Sequence, residues 1–415
     1  MVKAQSATAR RSRSTDRADQ IVAAARGLFG QRGYHSVNLQ DIGDKVGLDA
    51  SSLYFHFPNK EAILVAVIES LISSFEERID EVMATPGSAE DHLTVLTEDS
   101  LRLSVFDRHY FLATPADLRL VPATLVRELQ RKGKAAARPG VDALLSLHPE
   151  LTFPEAELII DATGCLSISL RHYRPELAKQ GVVELLRRMA LAAMFVPALG
   201  DRIVAAEVSL DRGPPPTEPT NNKRARGYGR SPTSVREQVL AAALKQFRSG
   251  GFDGVGVDDI AGALGITGPG VYRHFESKEE ILSTLLVRAM GELATSVRRS
   301  LAKASSARDA LERLVARTVE LAVEDADLLA VFWTQRDSVA KDGRLLIARE
   351  LRGYVKDWMG VLSDVRPELS EAEARTMVYG ALWMINAYWW QNSKVPVEQA
   401  GPLLRSITTS ALLCA

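Results

Sequence analysis

The strongest constraint on this chain is that it repeats itself. "ASSLYFHFPNKEAIL" at 50–64 returns at 268–282 as "GPGVYRHFESKEEIL". A shift of 218 positions aligns 17–65 on 235–283 without a gap, and 17 of those 49 positions are identical, among them Phe29/Phe247, Gly47/Gly265, Tyr54/Tyr272, His56/His274 and Lys60/Lys278. Several others exchange one apolar residue for another, such as Ile21/Val239, Val46/Leu264 and Leu53/Val271. A solenoid needs at least three short stacked repeats. Here there are two long units, and 415 residues give each half enough chain to bury its own core.

Each half reads as helical throughout. In "DRADQIVAAARGLFGQRG" the apolar residues Ile21, Ala24, Ala25, Leu28 and Phe29 recur at helical spacing, and Gly33 is placed to end the helix. Asn38 is placed to cap a short helix through Val46, Gly47 breaks it, and Asp49 caps a second over 50–56. A long amphipathic helix follows from about Lys60. Nowhere do the evenly spaced alternating runs of a sheet occur. The fold class is all-α. Between the halves, "DRGPPPTEPTNNKRARGYGRSPTS" is too rich in Pro, Gly and polar residues for a helix or a core, which predicts a linker over 207–232.

Two short helices joined by a glycine turn and backed by a longer helix form a helix-turn-helix, whose second helix faces the major groove of double-stranded DNA. With Leu53 and Phe57 on the inward face, Ser51, Ser52, Tyr54 and His56 are free to reach phosphates or base edges. The second copy offers Thr267, Tyr272, Arg273 and His274, and Gln40 adds to the first set from the preceding helix. Lys60 and Lys278, which open the next helix, are expected to contact phosphate. Ahead of each copy lies a basic segment, with Arg10, Arg11 and Arg13, then Lys223, Arg224, Arg226 and Arg230, expected as flexible arms along the DNA backbone or minor groove. The net charge of −1 hides this pattern: 1–65 carry +3 and 222–284 carry +2, against −6 elsewhere.

"GLDASSLYFHFPNKEAIL" and "GITGPGVYRHFESKEEIL" resemble the recognition-helix signature of the TetR family of bacterial transcriptional regulators, and "RGY…LQDIGDKVG" and "GGF…VDDIAGALG" resemble the helix before it. The motif covers about 50 residues per copy, while each half has the length of a complete family member. The resemblance implies two tandem units, each a three-helix DNA-binding domain followed by a helical domain that encloses a ligand pocket and ends in a pairing helix hairpin. The expected boundaries are an arm over 1–14, DNA-binding domains over 15–60 and 233–278, ligand-binding and pairing domains over 61–206 and 279–415, and the linker with its basic arm over 207–232. Fusion would let the hairpins over about 154–198 and 370–413 pair as an asymmetric four-helix bundle, making one chain a monomeric pseudo-dimer; a homodimer with four heads remains the other arrangement. Copy two replaces "DASS" with "TGPG", and Arg273 stands where Phe55 stood, so the half-sites are expected to differ. The resemblance extends to tandem actinobacterial repressors of lipid or steroid import and breakdown, which implies a small apolar effector of lipid, steroid or acyl-CoA type.

Pocket candidates are Phe106, Tyr110 and Phe111 in half one and Phe332, Trp333 and Trp358 in half two, each of which also reads as ordinary core packing. Tyr54, His56 and their counterparts have the same bland alternative. No enzyme is expected, since no nucleophile elbow, Cys–His pairing or phosphate loop appears, and no cofactor or metal is expected from histidines without ligand spacing. Two distant cysteines give no disulfide framework, and no apolar run approaches a membrane span. The N-terminal charges precede no apolar stretch, so no signal peptide is read and a cytoplasmic protein is expected. The rival function is a ligand- or partner-binding protein whose second helix-turn-helix has lost DNA readout.

Overall fold

The computed structural model describes residues 2–34, 36–106, 123–196, 234–339, 341–390 and 393–414. They form two compact units, 1–147 and 148–415. The division falls before the last helix pair of half one and not at the linker, which lies outside the described residues together with Arg224 and Arg226. Among the described residues there is no strand, and no helix is long and apolar enough to cross a membrane.

The first unit contains α1 (Val2–Arg32), α2 (Leu39–Val46), α3 (Ala50–Leu53), α4 (Lys60–Met83), α5 (Ala89–Phe106) and α6 (Ala123–Leu147). Ile21, Ala25 and Phe29 of α1 pack with Ile42, Leu53, Ile63 and Val67, and α6 adds Leu129 to the same core. The segment expected as a flexible arm is instead the start of α1, with Arg11 and Arg13 on it. Residues 2–16 hold no Gly or Pro, and Ala, Gln, Lys and Arg are good helix formers; only the missing apolar stripe made the segment look like an arm. α1 ends where Gly33 turns to φ 76, its amide donating to the Phe29 carbonyl at 2.9 Å.

The second unit opens with α7 (Phe153–His172) and α8 (Lys179–Met194), which belong to half one in sequence. Half two then repeats the order with α9 (Val235–Gly254, bent at Gly251), α10 (Val257–Ala263), α11 (Gly268–Tyr272) and α12 (Lys278–Leu301). Its helical body continues through α13 (Ala307–Glu324), α14 (Ala326–Gln335), a single 3-10 turn (Arg336–Ser338), α15 (Lys341–Val365), α16 (Glu371–Trp390) and α17 (Val397–Leu412).

The unit boundary has a plain physical cause. α7 packs along α16, and α8 along α17, so the two hairpins close into a four-helix bundle. Leu158, Ile159, Leu166, Leu186 and Met189 of half one and Met377, Ala381, Ile385, Leu404 and Ile407 of half two are all buried. Gly380 allows the closest approach: a Cβ there would stand 2.9 Å from Leu166 Cδ2 and 3.2 Å from Met189 Cε. At the rim the Tyr173 and Tyr379 rings stack with centroids 4.4 Å apart, and Arg375 donates to Glu176 at 3.2 Å. Truncating one buried leucine in such a seam costs about 2–5 kcal/mol.

Candidate nucleic-acid interface and sensor cavity

In head one, local hydrogen bonds fix the reading helix. The Asp41 amide donates to the Asn38 side chain at 2.8 Å, and the Asn38 amide donates to the Asp41 carboxylate at 2.8 Å, closing a reciprocal cap on α2. Gly47 turns the chain at φ 69, a left-handed conformation that favours glycine. Asp49 then caps α3, accepting from the Ser52 amide at 2.6 Å and the Ser51 hydroxyl at 2.7 Å; those bonds hold its carboxyl below the usual carboxylate range. Regular helix stops at Leu53, short of the expected His56. From Tyr54 to His56 the amides donate to carbonyls three residues back, a tighter last turn through an aromatic run that is a weak helix former.

The outward face is strongly exposed at Tyr54 (58%) and Phe55 (89%). Ser51 and Gln40 are exposed as well, the Gln40 amide donating to Asp44 at 2.6 Å, while Ser52 and His56 are half-buried. Phe55 was not among the expected contacts. Its signal lay in the pattern, since burying Leu53 and Phe57 leaves it pointing outward.

Lys60 does a different job from the expected one. Its ammonium donates to the Tyr34 carbonyl at 3.0 Å and the Val37 carbonyl at 2.7 Å, and stands 4.1 Å over the Tyr34 ring. Partial burial lowers its pKa. Lys278 repeats the arrangement on Phe252 O at 2.7 Å and Val255 O at 3.0 Å, 4.2 Å over the Phe252 ring. The matched lysines therefore clamp the loop between the first two helices of each head. A charge-assisted bond of this kind contributes about 1.5–3 kcal/mol.

Head two keeps this frame with a different face. Gly265 makes the same left-handed turn at φ 67, and Tyr272 is as exposed as its counterpart, at 55%. Thr267 is exposed but makes no side-chain cap bond, Arg273 is exposed, and His274 is half-buried. Gly268 is buried and matches Ala50, so it removes no reader: a Cβ there would come within 2.4 Å of Asp258 Oδ1. A second clamp, absent from the sequence reading, comes from Arg236, which donates to the His274 carbonyl and stacks 4.0 Å over Phe275. Its counterpart in head one is Ala18.

Half two also encloses a cavity of about 80 Å³ among α12, α13, α14, α15 and α16. Phe332 and Trp333, both expected there, line it with Met290, Leu321, Leu351 and Ile385. Trp358 does not: it is fully buried in the core, its ring edge-on to Tyr354 at 6.3 Å, and Tyr354, one turn earlier on α15, faces the cavity instead. The Tyr354 and Thr318 hydroxyls lie 2.7 Å apart, and burial pushes the phenol up to about 12. Phe106 ends α5 with 45% exposure, and Tyr110 and Phe111 lie outside the described residues.

A capped helix-turn-helix with an exposed second helix, present twice, defines a DNA-reading protein. The family described as "Bacterial regulatory proteins, tetR family" matches residues 21–67 and again 239–285. The chain carries that family's DNA-binding domain in duplicate. It is 25% identical over 206 residues to the HTH-type transcriptional repressor KstR2 of Rhodococcus jostii (strain RHA1), across 48% of this chain and 97% of that protein. It is 27% identical over 100 residues to the fatty acid metabolism regulator protein of Bacillus subtilis (strain 168), across 24% of this chain and about half (52%) of the relative's length. Among solved structures, a TetR-family transcriptional regulator from Bordetella parapertussis 12822 is 21% identical and covers 44% of this chain and 95% of its own, with a TM-score of 0.40.

Proposed function

We propose that the chain is a ligand-responsive repressor that acts in the cytoplasm as an intramolecular pseudo-dimer on a non-palindromic operator. The observation that supports this most is the bundle of α7, α8, α16 and α17, in which the pairing hairpins of the two halves cover one another. Family dimers place one helix-turn-helix on each half-site, about 34 Å apart along the DNA, and a fused chain supplies both. The faces differ at matched positions. Phe55 offers an apolar ring suited to a thymine methyl, and Arg273 a guanidinium suited to guanine, so the half-sites differ too. Head two retains its exposed Tyr272 and Arg273 and a doubly clamped frame, which favours a working reader over a scaffold.

Release follows from what α14 touches. Phe332 and Trp333 line the cavity, while Gln335 donates to the Phe247 carbonyl of α9 at 2.7 Å and Asp327 pairs with Arg248 at 3.1 Å. An apolar effector that displaces α14 therefore also displaces the first helix of head two. A near-complete switch requires the effector to favour the released state by about 5.5 kcal/mol. A relative named for fatty acid metabolism makes a lipid-like body the natural first class to try. The test is a base-resolved footprint on DNA upstream of the chain's own coding region, repeated with each half-site inverted. Protection lost on inverting either half-site is expected; indifference to inversion would overturn the asymmetric reading.

A further inference from the structure

The cavity in half two has a chemical bias. Its walls are apolar and aromatic, and its buried polar groups are nearly all engaged. The Thr318 hydroxyl donates to the Leu314 carbonyl at 2.9 Å, so the Tyr354 hydroxyl donates to Thr318. Asn386 donates to the Leu382 carbonyl at 2.8 Å and accepts from Trp389 Nε1 at 2.8 Å. Thr318, Tyr354 and Asn386 are each more than nine-tenths buried.

Two carboxylates complete the wall. Asp325 links α13 to α14 through its backbone, yet its side chain makes no cap bond and no hydrogen bond or ion pair holds it among the described residues. Glu292 has only Arg288, at 3.9 Å, and that guanidinium lies closer to Glu237, at 2.8 Å. Arg317 is engaged by Glu320 at 3.0 Å and by the Ser296 hydroxyl. Glu324 adds a further negative charge beside Asp325. Arg336 stands 4.9 Å over the Trp333 ring, on a lining residue without itself lining the cavity. Asp325 and Glu292 leave the wall with carboxylate acceptors to spare, beside ring faces that attract cations.

We infer that this cavity receives a largely apolar ligand ending in a protonated amine, with the ammonium group against Asp325 and Glu292 and the apolar body against Phe332 and Trp333. A half-buried carboxylate without a partner is costly, and an ammonium offsets that cost while supplying the donors the wall lacks. A carboxylate or a polyanionic acyl-CoA would meet repulsion at the same place, which narrows the lipid-like classes considered above. The cavity is well below the roughly 300–1,000 Å³ of ordinary ligand sites, so the ligand must widen it, and α14 is the wall that head two would feel. The inference rests on the reading of this cavity as the effector site.

The test uses the full chain and three probes with one body: n-decylamine, n-decanol and n-decanoate at pH 7.5. Binding is read by tryptophan fluorescence, all five tryptophans lying in half two, and operator release is read separately by DNA anisotropy. Decylamine is expected to bind about tenfold or more tighter than decanol, with decanoate weakest. Asp325→Asn should remove that preference, and an unchanged far-ultraviolet circular dichroism spectrum shows that the variant is folded. Decanol or decanoate binding as tightly as the amine, or a preference that survives both Asp325→Asn and Glu292→Gln, overturns the inference. If decanol or decanoate then releases the operator, the ligand-responsive reading stands without the amine. Failure of all three to bind overturns the inference and the effector role of the cavity together.

Discussion

The two heads share a frame and differ in the face mounted on it. Gly47 and Gly265 turn the chain alike, and Lys60 and Lys278 grip the same pair of carbonyls. Around that frame the exposed tyrosine is kept while other positions differ: Arg273 stands for Phe55, a threonine without a cap bond stands for a capping aspartate, and Arg236 is an extra clamp. The frame lysines are tied to carbonyls 23 and 26 residues upstream, and the frame glycines to left-handed turns. Face positions touch little within the protein and are free to diverge once two readers are fused.

The largest expected effect lies in the frame. Lys60→Met should lower unfolding stability of the first unit by about 2–3 kcal/mol, with Lys278→Met doing the same to its own head, and the salt dependence of operator binding should stay as it is. Calorimetry and a salt titration check both parts. A slope reduced by about one unit, with stability intact, would return these lysines to the list of phosphate contacts.

On the face, Arg273→Ala should relax base preference at one half-site by about 1–3 kcal/mol, and Phe55→Ala should act only at the other. Binding arrays with single-base changes separate the two. Phe55→Arg should make the half-sites more alike, and a chain whose preferences ignore that change would break the comparison. A smaller contrast lies in the caps: Asp49→Ala should lower the melting temperature of its unit measurably, whereas Thr267→Ala should leave that of its own nearly unchanged. Equal losses in thermal melts would mean that the missing cap bond in head two forms in solution.

The smallest effect concerns the sensor. Burial, with help from Glu324 and Glu292, raises Asp325 from its ordinary 3.8 to about 6. The folded state therefore binds more protons than the unfolded one between those values, and stability falls as pH rises through that window and then levels. Asp325→Asn should flatten that fall and raise stability at pH 7, by less than about 1 kcal/mol because solvent screens the exposed side of the group. Paired denaturation curves at pH 5 and pH 7.5 read it directly, and a fall that persists in the variant would assign it to other groups.

What the sequence made legible was local. Asn38 and Asp49 accept from amides three residues on and Gly47 makes a left-handed turn, so their roles follow from residue type and spacing alone, and the pairing hairpins fell within a few residues of their expected ends. What it hid was tertiary. The carbonyls held by Lys60 lie 23 and 26 residues upstream, and a lysine at a helix start looks the same whether it meets phosphate or its own backbone. Trp358 and Tyr354 share a helix stripe, and only the packing of neighbouring helices decides which of them reaches the cavity. The compact division at 147 was invisible because it depends on α7 and α8 pairing with helices some 200 residues away.

The central claim is that one chain supplies both readers. Size-resolved mass of the full chain, free and bound to a single operator duplex, tests it most directly. The account requires one chain in solution and one chain per duplex across the whole protected site. Two chains on that duplex, or a stable dimer in solution, would mean that the hairpins of the two halves do not complete each other, and the pseudo-dimer would have to be abandoned.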